Sequence, residues 1–435
     1  MLRTAAFLAV FAIAFALCMR AGFVSLLTWE WLSVMKPQSE AWGSGVLNYQ
    51  NMIAGILTVI AVFTARDRKP PAFNIFTFLL VLFTAMITLS QIFSLNSDIS
   101  ASQFNIAIEL IFMCLAILVL ANTKVKIQAV IWILVISVGY YSVTGGLRTI
   151  ASGGVSIIFG PAGSLLEDNN HLAVGVASMV PLAFYLFRTS ADVRARVVAA
   201  GIGALVILTV FGTHSRGGLI SLGVLYLGMV ARTKRKFISV LFLAVVGGGA
   251  LLIMPGQWFS RMSSISSQVS EKEAESSFNG RVEAWEVAYK MALQHPILGT
   301  GARVHYYPAY NYKVAPVNST TGVPYFYRAT HNAYLEILAG NGFIAIGAFL
   351  GMMITAFFWC GAIKRQTNKL PGFLWANDLA AMLQVSLLVY AVGTMAVSME
   401  YWIGLWIVMV LIVNLREMVM REAKAPLRPR RGGVV

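Results

Sequence analysis

Long apolar runs separated by short charged stretches dominate this chain. Runs near the ~20 residues that cross a bilayer as a helix occur near 5–34, 46–64, 72–93, 105–121, 127–143, 170–188, 197–213, 217–231, 237–254, 332–359, 373–396 and 399–414. The pattern predicts an all-α polytopic membrane protein with about twelve spans. The short alternating segments of a membrane β-barrel do not fit it. The first run is too long for one straight crossing and reads as a kinked helix or a short hairpin.

One interval breaks the rhythm. Residues 255–331 form a connection far longer than any other, and connections of that length are usually functional or disordered. The expected organisation is a bundle of about nine spans over 1–254, a large outer loop over 255–331, about three spans over 332–414, and a basic tail over 415–435. Within the loop, Val282, Trp285, Tyr289, Ala292 and Leu293 repeat at helical spacing. They predict an amphipathic helix on the membrane surface, capped by Ser277 or Asn279 and stopped before Pro296. The stretch 263–277 reads as polar and mobile.

Composition agrees with the pattern: 58% of the 435 residues are hydrophobic, 12% are charged, and mean hydropathy is +0.74. The net charge of +15 would suggest nucleic acid in a soluble protein, but its distribution points elsewhere. With the N-terminus inside, 22 of the 33 Lys and Arg fall in that terminus, the short inner loops and the tail. The outer loop 94–103 has no basic residue. This is the positive-inside pattern; it requires an even number of spans, which favours counting 5–34 once without settling whether that run crosses once or twice, and it places both termini in the cytoplasm. No small-x-small cleavage pattern follows the first run, so it reads as a retained span. Cys18, Cys114 and Cys360 lie in or beside apolar runs and read as buried thiols.

Polar residues at the outer lip are few. FGTHSRGG places His214 and Arg216 there, and SLLEDNNHLAVG adds Glu167, Asp168 and His171. Arg281 stands at the start of the predicted loop helix, and Arg328 and His331 close the loop. Arginine holds phosphate oxygens bidentately and stays charged, so these arginines suggest a phosphorylated ligand; headgroup contact for Arg216 and a solvated helix start for Arg281 are the plain alternatives. His331 is the most base-like group, since histidine titrates near pH ~6.5; an interfacial anchor or helix cap is its structural alternative. Glu336 lies about 140° round the helix from His331, so the two do not form a dyad; it reads as a packing contact to another span. Tyr306, Tyr307, Tyr310, Tyr312, Tyr325, Phe326 and Tyr327 suit sugar faces and bilayer interfaces equally. The sequence has no Asp-x-Asp, Walker A, HExxH or Cys/His pattern at metal spacing. Glu167 and Asp168 could hold a divalent ion, though an ordinary polar loop accounts for them more simply.

Three stretches in order, THSRGGLISLG (213–223), NGRVEAWEVAYKMALQHPILGTG (279–301) and THNAYLEILAGNGFIAIGAFL (330–350), resemble the O-antigen ligase and polymerase superfamily. The start, LLTWEWLSVMKPQSEAWG (26–43), is similar to exosortase-associated O-glycosylation ligases. The resemblance implies a GT-C-like fold in the bacterial inner membrane with the site facing the periplasm. It implies transfer of a preassembled glycan from undecaprenyl pyrophosphate to lipid A–core, with inversion and without a metal or other cofactor. Sister activities use another glycan chain or protein Ser/Thr as acceptor. By motif position His331 would be the acceptor's base, and Arg216 and Arg281 would hold pyrophosphate. Arg328, Tyr334, His305 and His214 are secondary candidates. A lipid-glycan transporter is the rival class, but such a protein would carry charges inside several spans, whereas these arginines gather at one face.

Overall fold

The computed structural model describes residues 2–40, 49–232, 268–315, 328–368 and 370–424, with isolated positions between 241 and 259. Most of the predicted span 237–254, residues Tyr325 to Tyr327 and the tail beyond 424 lie outside the described residues. Among the described residues the secondary structure is helical with no strand. Among the described residues, eight helices are long and apolar enough to cross a membrane. They are α4 (Ile75–Ile92), α5 (Ser97–Leu120), α6 (Lys124–Ala151), α7 (Asn169–Thr189), α8 (Val193–Gly212), α12 (Ala333–Thr367), α13 (Leu374–Gly393) and α14 (Ile403–Lys424). Shorter helices α1 (Leu2–Cys18), α2 (Gly22–Met35), α3 (Gln50–Thr64) and α9 (Arg216–Arg232) account for the remaining described apolar runs. The outer loop contributes α10 (Gln268–Gln294) and the single turn α11 (Pro308–Asn311).

Short polar side chains start these helices. Asn74 closes a capping box with Thr77, and Asn96, Thr123, Asp168, Asp192 and Asn332 each accept from a backbone N–H of the first turn. Each such cap contributes about 1 kcal/mol. In the interior, Trp406 meets Phe83 at 5.4 Å and Phe349 at 5.8 Å, which joins α14, α4 and α12 through one aromatic cluster.

The first run is a hairpin. Ala21 is extended between α1 and α2, and Phe7 of α1 packs on Trp31 of α2 at 5.9 Å, so the two helices are antiparallel. Lys36 at the end of α2 donates to Gly163 O at 2.5 Å, whereas Phe23 at its beginning lies 5.1 Å under the Lys126 ammonium. The beginning of α1 therefore sits at the end of the bundle that carries residues 152–168. The last helix, α14, starts at that end and finishes at the other, where Glu417 and Arg421 lie near Lys69 and Asn122. The run 5–34 is thus two helices, the hairpin of the two readings, and Leu2 and Lys424 stand at opposite ends of the described bundle. Arg20, which sits in the hairpin turn, replaces Arg3 as the basic residue on the side of Lys126.

The loop helix also differs from expectation. It begins at Gln268 and not beside Asn279, because the polar run SEKEAESS consists largely of good helix formers. Arg281 is consequently in the helix interior and not at its start. Ala284, Val287 and Met291 form the buried stripe under Tyr310, Val314 and Ala315. The predicted stripe residues Val282, Tyr289 and Leu293 remain exposed, since the small alanines permit closer packing than the larger side chains.

A clasp fixes this helix to α12. Within α12, Gly342 has φ +84°, and the helix kinks there. The segment after α10 fills the break: Thr300 N donates to Ala339 O and Gly301 N to Gly340 O, each at 2.9 Å, and Phe343 N donates to Pro296 O at 2.8 Å. Ser90 Oγ of α4 adds a bond to Gly340 O at 2.8 Å. Backbone groups freed by the kink are thus satisfied by neighbouring chain, as a helix in an apolar medium requires.

Candidate active site

The site grows from the start of α12. Asn332 Oδ1 accepts from Tyr334 N and Leu335 N, so Asn332 is the cap and His331 stands just outside the helix. His331 adopts a left-handed backbone with φ 47°, a conformation that costs a non-glycine residue on the order of 1–2 kcal/mol. Its neighbours hold it there. Ala333 N bonds both Thr394 O and Val397 O, at 3.0 and 3.1 Å. Thr330 bonds Glu336 Oε1 through its N at 3.2 Å and its Oγ1 at 2.5 Å. Thr330 O accepts from Trp285 Nε1 at 2.7 Å.

Glu336 is the anchor of this assembly. It is buried, and besides Thr330 its Oε1 accepts from Tyr306 OH and from Ser398 Oγ at 2.7 Å, while Oε2 faces His305 Nε2 at 3.4 Å. Its partners are connecting segments and not another span, which corrects the packing reading. Burial, followed by the Glu336 charge, holds the Tyr306 hydroxyl well above the ordinary phenol range, so it remains a donor. Burial, then Glu336, also raises the neighbouring Glu400 carboxyl.

Ser398 joins a second network. Its carbonyl lies 3.1 Å from His171 Nε2, and His171 Nδ1 lies 3.1 Å from Asp168 Oδ1. Asp168 caps α7 through the N–H of Asn170 and of His171. Burial would raise the Asp168 carboxyl, but the hydrogen bond and charge of His171, with the Asn170 N–H, outweigh it and hold Asp168 below its usual range. The side chain of Glu167 is engaged by Gly163 N at 2.8 Å.

Three helix N-termini border residues 394–398: α12 through Ala333, α7 through His171, and α9 through Gly217, where an added Cβ would lie 3.5 Å from Ala396. Ser215 Oγ caps α9 by accepting from Gly218 N at 3.0 Å, leaving exposed Arg216 as the first helical residue. Gly218 packs so closely that a Cβ would lie 2.5 Å from Ala173 of α7. Each N-terminus carries roughly half a positive charge. Arg281 lies one turn before Trp285 on the same face of α10, and Trp285 bonds Thr330, so Arg281 faces the His331 end. The Arg328 guanidinium occupies the space above Gly280, where a Cβ would lie 1.4 Å from its Nη1, and this sets Arg328 beside Arg281. Burial, then the Arg281 charge, pull His331 below its ordinary value against the opposing carboxylates of Asp168 and Glu336. The arrangement can bind an anion, and it favours the neutral, proton-accepting form of His331.

The remaining candidates face elsewhere. His214 Nε2 lies 2.9 Å from Gly154 O, Tyr334 OH donates to Ala391 O at 2.6 Å, and His305 is buried behind Glu336. The sequence reading missed Thr330 and Ser398. The only signal for Ser398 was the scatter of Thr394, Ser398 and Glu400 where the last two apolar runs meet.

Residues 201–350 match a family described as O-Antigen ligase. The chain thus carries an O-antigen ligase family domain over residues 201–350. Residues 2–191 match a family of unknown function, and comparison with curated proteins gives no match. The ligase domain contains Arg216, Arg281, Arg328, His331 and Glu336. Asp168 and His171 come from the preceding family, and Ser398 lies beyond both.

Proposed function

We propose that this protein is an O-antigen ligase acting at the outer face of the bacterial inner membrane. It transfers a preassembled glycan from undecaprenyl pyrophosphate to a hydroxyl of lipid A–core. This reading is supported by Arg281 and three helix N-termini lying at the end of the bundle that holds His331, within a domain of the ligase family.

His331 takes the proton of the acceptor hydroxyl as its oxygen bonds to the anomeric carbon. The bond from that carbon to the pyrophosphate oxygen breaks with its electron pair, and the anomeric centre inverts. Arg216 and Arg281 hold the pyrophosphate and stabilise the charge developing on it. His331 returns its proton to solvent. The chemistry needs only these side chains, so transfer should persist in EDTA.

The test is transfer by purified protein given undecaprenyl-pyrophosphate glycan and lipid A–core. Glycosylated lipid A–core is expected. Extension of the glycan alone would reassign the protein as a polymerase, and product only on peptide would make it a protein O-oligosaccharyltransferase.

A further inference from the structure

At the same end of the bundle lies a cavity of about 410 Å³, within the range of small-molecule sites. Its polar lining comes from separate segments: Lys36, Asn51, Glu109, Glu167 and Arg303, with Trp402 on one wall. Neither His331 nor the arginines proposed to hold pyrophosphate line it. Only a thin partition separates the two places. Glu167 lines the cavity while the next residue, Asp168, joins His171; Trp402 lines it while Ser398, on the same short segment, joins His171 and Glu336.

The chemistry of the cavity differs from that of the anion end. Two cations and two carboxylates line it, so it carries no net charge to select a phosphate. Its groups are arranged for hydroxyls. The Glu109 carboxylate accepts from Asn51 Nδ2 at 2.6 Å and from Trp29 Nε1 at 3.2 Å, and an ionised carboxylate keeps further acceptor capacity. Glu109 lies midway along α5, a costly position in an apolar run unless it serves a ligand or a partner. Six residues earlier on α5, both terminal nitrogens of Arg303 face the Gln103 amide oxygen at 3.0 Å, with the amide turned so that its oxygen meets the guanidinium. Carboxylate, amide and guanidinium groups beside the apolar side chains of Ile106, Leu110 and Met113 supply the edge hydrogen bonds and the apolar contact that a sugar ring takes.

We propose that this cavity is a saccharide subsite, taking a short hydroxyl-rich glycan end without net charge. This rests on the transferase reading, in which two substrates must meet at one boundary. The glycan belongs either to the donor or to the acceptor. The cavity's lining is drawn chiefly from residues 33–167, within the family of unknown function, so that segment would supply glycan recognition to the ligase domain.

The experiment uses the full chain in detergent and follows binding of three probes: glycan released from the donor, lipid-free core oligosaccharide, and sugar-free undecaprenyl pyrophosphate. Glu109→Gln and Asn51→Leu should weaken one of the two saccharides about tenfold, as expected when a site built to bond hydroxyls loses a partner. Both should leave undecaprenyl pyrophosphate within about twofold of the unaltered protein, the range of a substitution remote from that ligand. Whichever saccharide weakens identifies the occupant. Unaltered binding of both saccharides, or equal weakening of all three probes, overturns the subsite. A protein that fails to transfer glycan but shows the selective saccharide loss would refute the ligase reading and leave the cavity assignment standing.

Discussion

Trp285 donates its indole N–H to the backbone oxygen of Thr330 at 2.7 Å, one residue before His331. Through this bond the helix bearing Arg281 is held to the residue proposed as base. Trp285→Phe keeps most of the ring and removes the donor. Stability should fall by about 1 kcal/mol, while turnover falls more steeply than the donor KM rises, because Arg281 itself is retained. Steady-state kinetics beside a melting curve separates the two; unchanged turnover would show that the bond does not align the site.

Arg281→Lys keeps the charge and loses the planar fork. If the guanidinium grips two phosphate oxygens, kcat/KM should drop at least about tenfold, the range of losing one charge-assisted bond. A rate close to that of the unaltered protein would mean that a point charge suffices.

The pH profile follows from the environment of His331. Burial and Arg281 lower its value, so it is neutral above that value and protonated below it. A base must be neutral, and activity should therefore be lost as pH falls, with the acid limb of kcat/KM centred below about 6.5. His331→Gln should remove the limb together with about 10²-fold or more of the rate. An acid limb that survives this substitution would assign it to another group.

Glu336 accepts from Tyr306, Thr330 and Ser398, all through one buried oxygen. Glu336→Ala leaves those donors without it, at about 1–3 kcal/mol for each buried group left unsatisfied, so the protein should unfold many degrees earlier in detergent. Glu336→Gln retains an acceptor oxygen and should recover most of the loss. Equal melting of the two variants would argue against the hub.

Gly299 has φ +68°, and a Cβ there would lie 2.4 Å from the Gly340 carbonyl carbon. Since the obstruction is backbone, Gly299→Ala should cost more than the ~1 kcal/mol of an ordinary left-handed alanine. Gly347, whose Cβ would meet nothing within 4 Å, serves as the control. Comparable melting of the two alanine variants would show that the clasp yields easily.

The sequence exposed the architecture because apolar runs announce helices directly, and His331, Arg216 and Arg281 stood out as charges at run ends. What it concealed has physical causes. The break at Arg20–Ala21 leaves no proline or long polar gap, so the hairpin resembled a single run. The segment carrying Ser398 and Glu400 is flanked by Met, Val, Tyr and Trp, and averaging over a window absorbed it into the neighbouring spans. Arg303 and Lys36 were visible only as isolated charges; their meeting with Glu109 and Glu167 depends on chain segments far apart in sequence. The face of α10 was misassigned because alanines, which pack closest, contribute little to a hydrophobic pattern.

The clasp between residues 296–301 and the kink of α12 also limits how this protein can be dissected. The acceptors for Thr300, Gly301 and Phe343 are shared across it, and Glu336, on the spanning helix, holds Tyr306 of the loop. An excised outer loop would therefore lose the framework that gives it shape. The loop is not an exportable module, and chimaeras that exchange it between relatives should keep their function only if the first turns of α12 travel with it.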